Sequence, residues 1–170
     1  KTMYEIIAID GPASVGKSTL AKKLSVFYDS PLLQSGRLYR AVALEIKNKK
    51  ININDRDKII QCAKSLKNSN INNINLFSSD IDKIASKISA KKYLRDQLRV
   101  YQREFPKKYA SRKKYAIVEG RDIGTEIFPE AKFKVFLWAD PIIRAKRRYE
   151  QVTKNGKKVG LKQIFDEIIA

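Results

Sequence analysis

The residues with the clearest chemical meaning lie near the start of the chain, behind an apolar run at residues 4–9. Gly11, four intervening positions and then Gly16, Lys17 and Ser18 form a loop, and residues 19–24 have a helical pattern. Glycines let a backbone curl around an anion with its N–H groups pointing inward. The lysine reaches the outer phosphates of a nucleotide, and the serine hydroxyl can bind Mg²⁺. The flanking strand and helix favour a phosphate site over a chance glycine turn.

A second polar group follows the apolar, β-branched run at residues 115–118. Glu119, Gly120, Arg121 and Asp122 come directly after this predicted strand. In open parallel α/β sheets, ligands bind at the carboxyl ends of the strands. We therefore interpret Glu119 as a group that acts on the hydration shell of Mg²⁺, with an ordinary polar turn as the alternative.

Arginines recur at helical spacing in two further places. Arg37 and Arg40 lie three residues apart in a predicted helix that Ser35 would cap, and they oppose the helix dipole unless an anion binds there. A stripe of arginines follows Asp140, the predicted cap of another helix, and lies beside a glycine-bearing turn at residues 154–158. This second set favours a lid that closes over phosphates; its members are Arg144, Arg147 and Arg148.

One pair of polar residues carries a structural requirement. Ser86 and Arg95 are nine residues apart, so they would point in opposite directions on one straight helix. Both can face a single ligand only if the helix breaks near residues 90–92. The basic face formed by Arg95, Arg99, Gln102 and Arg103 has the spacing of an ordinary solvated helix face.

Further apolar runs at residues 31–34 and 133–138 complete a set of predicted strands that alternate with helices. This alternation predicts a parallel α/β sandwich. The polar, Asn-rich stretch at residues 47–79 predicts an excursion from the sheet, with Asp55 capping one helix and Ser79 or Asp80 capping the next. The length of 170 residues corresponds to about one domain.

Composition excludes several classes of function. The 170 residues contain no histidine, which excludes Ser-His catalysis and histidine metal sites. Cys62 is the only cysteine, so we expect no internal disulfide and a reducing compartment. No apolar run approaches the roughly 20 residues that cross a bilayer, and we expect no signal peptide. The net charge of +18 fits a polyanionic partner or a lysine-rich solvated surface, and the scattered lysines favour the surface.

These residues resemble those of the bacterial cytidylate kinases, a family of P-loop nucleoside monophosphate kinases. The generic part of the resemblance is the loop, and the specific part is the order of residues in 119–131. The matching segments are 9–19, 35–40, 84–86 with Arg95, 102–105, 119–131, and 144–148 with Gln151. The resemblance implies a single P-loop kinase domain over 1–170, a three-layer α/β/α sandwich with a parallel central sheet. We expect its C-terminal strand beyond residue 170, an acceptor-binding excursion at about 36–105 and a lid at about 144–160.

The family transfers the γ-phosphoryl group of ATP to CMP or dCMP with Mg²⁺, so the resemblance implies this reaction, with CDP or dCDP and ADP as products. It assigns the donor to Gly11, Pro12, Ala13, Ser14, Val15, Gly16, Lys17, Ser18 and Thr19, with Ser18 also binding the metal. It assigns the acceptor to Ser35, Arg40, Ser86, Arg95, Arg121 and Asp122. Asp122 and Ser86 would address the cytosine or its sugar, and the arginines the acceptor phosphate. The implied catalytic residues are Lys17, Arg121, Arg144 and Arg148, whereas Arg147 is harder to rank.

The sequence departs from the family pattern in three places. The family's further arginines and aspartate after the lid fall beyond residue 170. The excursion between Leu66 and Ile81 is shorter than the family's hairpin-bearing insert. Gln34 replaces an aspartate that is common before the Ser-Gly pair, and no consequence can be assigned from sequence.

The expected partners are therefore CMP or dCMP for a monomer in the cytoplasm, with no membrane and no nucleic acid. Two alternatives remain. Another P-loop small-molecule kinase would share the loop but would not explain residues 119–131. A nucleic-acid-binding protein with a structural nucleotide site would explain the basic charge and predicts steeply salt-dependent binding.

Overall fold

The central sheet forms where the apolar runs predict it. The computed structural model describes residues 3–156 and 158–169. Its strands pair in parallel in the order β2-β3-β1-β4, which confirms the predicted parallel α/β sheet. They are β1 (Glu5–Asp10), β2 (Leu32–Gln34), β3 (Tyr115–Gly120) and β4 (Phe133–Phe136). The last strand is shorter than predicted, because pairing with β1 ends at Phe136, before Trp138.

Helices connect these strands and cover both faces of the sheet. The longer ones are α1 (Lys17–Phe27), α2 (Ser35–Asn48), α3 (Arg56–Lys64), α5 (Ser79–Ser89), α6 (Lys92–Tyr109), α7 (Pro141–Lys154) and α8 (Leu161–Ile169). A short helix, α4 (Asn68–Ile71), and a 3₁₀ turn (Ile74–Phe77) lie within the predicted excursion, and a π-helical turn (Ile123–Ile127) follows β3.

The three layers of the fold arise because successive side chains of a strand point to opposite faces of the sheet. Ile7 and Ile9 of β1 pack with Ala21 of α1 on one face of the sheet. The intervening residues Ile6 and Ala8 belong to the larger core, where α2, α3, α5 and α6 pack on the other face. Because a strand buried on both faces must be apolar at every position, β1 reads as a continuous apolar run. The result is the α/β/α sandwich that the sequence predicts.

The predicted break between Ser86 and Arg95 is present. The helix that carries Ser86 ends at Ser89, and the next helix begins at Lys92. The chain changes direction at Ala90 and Lys91, so α5 and α6 can both present side chains to one ligand. The requirement drawn from helical geometry is confirmed.

Two of the predicted helix caps are confirmed and two are wrong. The carboxylates of Asp55 and Asp140 accept backbone N–H bonds at the starts of α3 and α7, as predicted. Helix α5 is capped by Ser78, one residue before the predicted candidates. Ser35 is the first residue of α2 rather than its cap, and its hydroxyl bonds elsewhere.

Some predictions fall on residues outside this description. The turn at residues 154–158 and the lid at about 144–160 include Lys157, and the chain end at Ala170 is likewise outside the described residues. Within 3–156 and 158–169, no helix is both long and apolar enough to cross a bilayer.

Candidate active site

The phosphate loop connects β1 to α1 and has the backbone that an anion site needs. Gly11 and Gly16 have φ of 150° and 100°, and Ser14 has φ of 61°. A Cβ atom on Gly11 would lie 2.3 Å from the carbonyl oxygen of Leu137, so this position also lacks room for a side chain. Helix α1 begins at Lys17 with no side-chain cap and no acidic residue in its first turn. Its first N–H groups are therefore available to a phosphate.

Lys17 lies inside the loop, at the centre of the local charges. Its Nζ donates to the carbonyl oxygen of Pro12 at 2.8 Å. The pKa of Lys17 is lowered, mainly by burial. The negative charge of Glu119 raises this pKa, and the positive charges of Arg121 and Arg144 lower it further. Arginines from two other parts of the chain therefore come close to the lysine of the loop.

Glu119 joins the phosphate loop to two strands. Ser18 Oγ donates to its Oε1 at 3.1 Å, and Gln34 Nε2 donates to its Oε2 at 3.1 Å. The Glu119 residue is only 8% exposed at the end of β3. Gln34, to which no consequence could be assigned from sequence, thus orients this carboxylate.

The oxygen donors at this point suit Mg²⁺, which prefers carboxylate, hydroxyl and water ligands and keeps several waters. The residues 3–156 and 158–169 contain no cluster of three or more acidic, cysteine or histidine residues that could hold a metal alone. Ser18, with Glu119 beside it, therefore fits a metal that is held largely by the phosphates of a nucleotide and by water.

A cavity of about 470 Å³ lies beyond the carboxyl ends of β2 and β3. Every residue that the resemblance assigns to the acceptor lines this cavity: Ser35, Arg40, Ser86, Arg95, Arg121 and Asp122. They come from α2, α5, α6 and the segment after β3, so the break between α5 and α6 is what lets Ser86 and Arg95 meet. The structure thus brings the predicted residues together next to the phosphate loop.

Two titratable groups that line the cavity have perturbed pKa values. Burial, and after it the charge of Asp10, raises the pKa of Asp122. Burial, together with the negative charge of Asp122, raises the pKa of Tyr39 to about 12. Titratable groups with perturbed pKa values inside a cleft are typical of functional sites.

Two residues that sequence reasoning did not place in the site, Asp10 and Gln102, support its lining residues through hydrogen bonds. Asp10 Oδ1 and Oδ2 accept the backbone N–H groups of Ile123 and Gly124, both at 2.8 Å. Gln102, 2% exposed, accepts the Ser35 hydroxyl at 2.8 Å. The position of Asp10 at the end of a strand, next to the glycine loop, was the available indication. Gln102 could have been found from its position on the same helix face as Arg95 and Arg99.

Other basic residues turn away from the cavity. Arg37 Nε donates to the carbonyl oxygen of Ile71 at 2.8 Å, so of the two arginines predicted to bind an anion together only Arg40 lines the cavity. Arg99 pairs with Glu126, and Arg103 pairs with Glu130. The basic face of α6 is therefore divided: Arg95 and Gln102 line the cavity, whereas Arg99 and Arg103 anchor the segment after β3.

The arginine stripe of α7 reaches the site from the other side. Arg144 Nε donates to Ala13 O at 2.9 Å, and Arg147 Nη1 donates to Val15 O at 3.3 Å. Both bonds go to carbonyl oxygens of the phosphate loop. Arg148 instead points to the acceptor side, where its Nη2 lies 3.6 Å from Asp82.

A phosphate loop between a parallel strand and a helix, with a polar cavity beside it and an arginine-bearing helix against it, is the arrangement of a P-loop kinase. The crystal structure of TT1252 from Thermus thermophilus shares this fold, with a TM-score of 0.54 and 14% identity, over 96% of this chain and 78% of that chain. The family model described as "Cytidylate kinase" matches residues 7–170. The chain therefore belongs to the cytidylate kinase family.

Curated relatives agree with this assignment. A cytidylate kinase of Bradyrhizobium sp. (strain ORS 278) is 38% identical over 97% of this chain and 76% of its own length. A cytidylate kinase of Rickettsia felis is 41% identical over 96% of this chain and 72% of its own length.

Proposed function

We propose that this protein transfers the γ-phosphoryl group of ATP to CMP or dCMP, giving ADP and CDP or dCDP. The observation that carries the proposal is the cavity beside the phosphate loop, in which three arginines and three serines converge. A nucleoside monophosphate needs this combination of cations for its phosphate and neutral hydrogen-bonding groups for its base and sugar. The names of the relatives support the choice of cytosine.

On the donor side, the loop from Gly11 to Thr19 would wrap the phosphates of ATP with its backbone N–H groups. Lys17 would exchange the Pro12 carbonyl for phosphate oxygens, which also offsets the cost of its burial. Ser18, with Glu119 acting through water, would hold Mg²⁺, which when bound neutralises charge on the phosphates. Gln34 keeps Glu119 turned toward Ser18.

On the acceptor side, Arg40, Arg95 and Arg121 would bind the phosphate of CMP, and Ser35, Ser86 and Asp122 would bind its cytosine and sugar. An oxygen of the acceptor phosphate forms the new bond to the γ-phosphorus, while the bond from that phosphorus to the bridging oxygen of ADP breaks. The acceptor oxygen is already ionised at neutral pH, so the reaction needs no histidine base. Arg121 would bridge the two halves, because it lines the acceptor cavity and its charge acts on Lys17.

We assign the lid function to α7. Its Arg144 and Arg147 donate hydrogen bonds to the carbonyl oxygens of Ala13 and Val15 in the phosphate loop. The phosphates of a bound donor would attract these two arginines toward the loop. Closure of such a lid would exclude water and so suppress hydrolysis of ATP. Arg144 and Arg148 remain our candidates for contact with the transferred group.

We further propose that the protein is a monomer that works in the cytoplasm, without a membrane or nucleic-acid partner. Cys62 supports a reducing compartment, because it is buried and free. Size-exclusion chromatography with light scattering would test the monomer.

A coupled assay of ADP release with CMP, dCMP, UMP and AMP as acceptors tests the proposal. We expect CMP and dCMP to be phosphorylated efficiently and AMP poorly. Equal turnover of all four acceptors would rule out a cytidylate kinase. The Arg121→Met variant serves as a control, because it should lose the activity while it retains the fold.

A further inference from the structure

Asp82 brings a negative charge into the acceptor cavity. It lies on α5, one helical turn before Ser86, and it lines the same cavity. Its Oδ1 pairs with Nη1 of Arg40, and its Oδ2 lies 3.6 Å from Nη2 of Arg148. A single carboxylate thus links a proposed acceptor-phosphate cation on α2 to an arginine of the lid helix.

Arg40 is held in place without this carboxylate. Its Nη1 also donates to the carbonyl oxygen of Leu76 at 3.1 Å, and its guanidinium lies 4.9 Å from the centre of the Phe77 ring. Loss of Asp82 would therefore leave two contacts that orient the arginine. The contribution of Asp82 is mainly its charge.

The ion pair is accessible from the cavity. The side chains of Arg40 and Asp82 are 24% and 28% exposed, so an anion can approach the arginine while the carboxylate can turn away to solvent. A phosphate dianion carries twice the charge of a carboxylate and offers more acceptor oxygens. It would replace Asp82 on Arg40, and the carboxylate would also lose its contact with Arg148.

We propose that Asp82 sets the affinity of the acceptor site for phosphate: it pairs with Arg40 and Arg148 until the phosphate of the acceptor displaces it. This inference rests on the proposed function, since it takes Arg40 to be a phosphate ligand. Because the phosphate must displace Asp82, this carboxylate weakens the binding of CMP through its phosphate group. The displacement of Asp82 also frees Arg148 from α5. Occupancy of the acceptor site is thereby coupled to the lid helix.

The test compares Asp82→Asn with Asp80→Asn by equilibrium binding of CMP and of cytidine, measured by calorimetry in low salt. Asp80 is a matched control because it also lies in the first turn of α5, and it pairs with Lys47 at 2.9 Å on the outer surface. Both variants remove one negative charge from the same helix terminus. Asp82→Ser is the second variant if Asp82→Asn does not fold, and thermal unfolding of each variant checks the fold.

We expect Asp82→Asn to bind CMP about three- to tenfold more tightly than the wild-type protein, the scale of a lost, partly exposed ion pair. Cytidine, which has no phosphate to compete with the carboxylate, should bind both proteins equally. Asp80→Asn should leave both affinities unchanged.

Three results would overturn the inference while leaving the proposed function intact. They are CMP binding that is unchanged in Asp82→Asn, CMP binding that is weaker, and an equal gain for CMP and cytidine. Failure of the wild-type protein to bind CMP would instead refute the proposed function, and the inference with it.

Discussion

Asp10 provides the sharpest test of how the site is held together. Its carboxylate is nearly buried at the end of β1, with 8% of the residue exposed, and each oxygen accepts one backbone N–H bond at 2.8 Å. These two bonds fix the start of the turn at Ile123 and Gly124, directly after Arg121 and Asp122. Asp10 is thus a positioning residue that ties the segment proposed to bind the acceptor to the strand that leads into the phosphate loop.

The Asp10→Asn variant keeps the shape of the side chain but replaces one acceptor oxygen with an NH₂ group. One of the two backbone N–H groups would then face another donor. A hydrogen bond to a charged group contributes about 1.5–3 kcal/mol, and a buried unpaired N–H costs about 1–3 kcal/mol. Because part of this cost is relieved by local adjustment, we expect the free energy of unfolding to fall by about 2–4 kcal/mol.

The matched control is Asp55→Asn. Asp55 is also an aspartate that accepts a backbone N–H bond, from Lys58 at 3.1 Å, but it does so at the exposed start of α3. Asparagine is as good a helix cap as aspartate, so this variant should lose less than about 0.5 kcal/mol. Urea denaturation of both variants under the same conditions isolates the effect of the buried pair of bonds.

Activity supplies a second readout for Asp10. Since the turn follows Arg121 and Asp122, loosening it should raise the KM for CMP by about tenfold, equivalent to about 1.4 kcal/mol, and leave the KM for ATP less affected. The reasoning would be refuted if Asp10→Asn were as stable as Asp55→Asn, or if a folded Asp10→Asn enzyme kept the wild-type KM for CMP.

Three further predictions follow from the same site. Gly11→Ala should destabilise the fold by several times more than Gly16→Ala in thermal unfolding: both residues have positive φ, but a Cβ atom on Gly11 alone meets a backbone carbonyl, that of Leu137 at 2.3 Å. Equal losses would contradict this. The raised pKa of Asp122 means that its folded state binds a proton more tightly than its unfolded state, so Asp122→Asn should be more stable than wild type at pH 7. That advantage should disappear as the pH falls through the raised pKa to below about 3.9. Urea denaturation of both proteins from pH 3.5 to 7 measures the advantage, and an advantage that stayed the same over this range would contradict the prediction. Glu119→Gln should raise the Mg²⁺ concentration for half-maximal activity about tenfold, measured by metal titration. Its loss of stability should be smaller than that of Asp10→Asn, because the Ser18 hydroxyl can accept a hydrogen bond from the new amide, which a backbone N–H cannot do. An unchanged titration would separate Glu119 from the metal.

Much of the site could be predicted because its indications are local in sequence. The apolar runs predict strands, and the glycine spacing predicts a loop that binds phosphate. The nine-residue separation of Ser86 and Arg95, together with the family resemblance that assigns both residues to one ligand, even predicts the break that the structure has between α5 and α6. Backbone periods of about 2 and 3.6 residues act over a few positions, so they can be read directly from the chain.

The missed features depend on contacts between distant segments. Asp10 meets Ile123 across 113 positions, and Gln34 meets Glu119 across 85. The spacing of Arg37 and Arg40 also predicted that the two arginines bind an anion together. In the structure, residues 68–77 pack against α2, and Arg37 donates to the carbonyl oxygen of Ile71 instead.

The sequence by itself therefore determined the elements and the cations that they carry. Only the tertiary structure decided which groups the carboxylates face: Glu119 accepts the hydroxyl of Ser18, and Asp82 lies between Arg40 and Arg148. The physical reason is that a helix or strand is specified by the near-neighbour pattern of its own residues. The partner of a side chain is specified by where separate elements come to rest on the sheet.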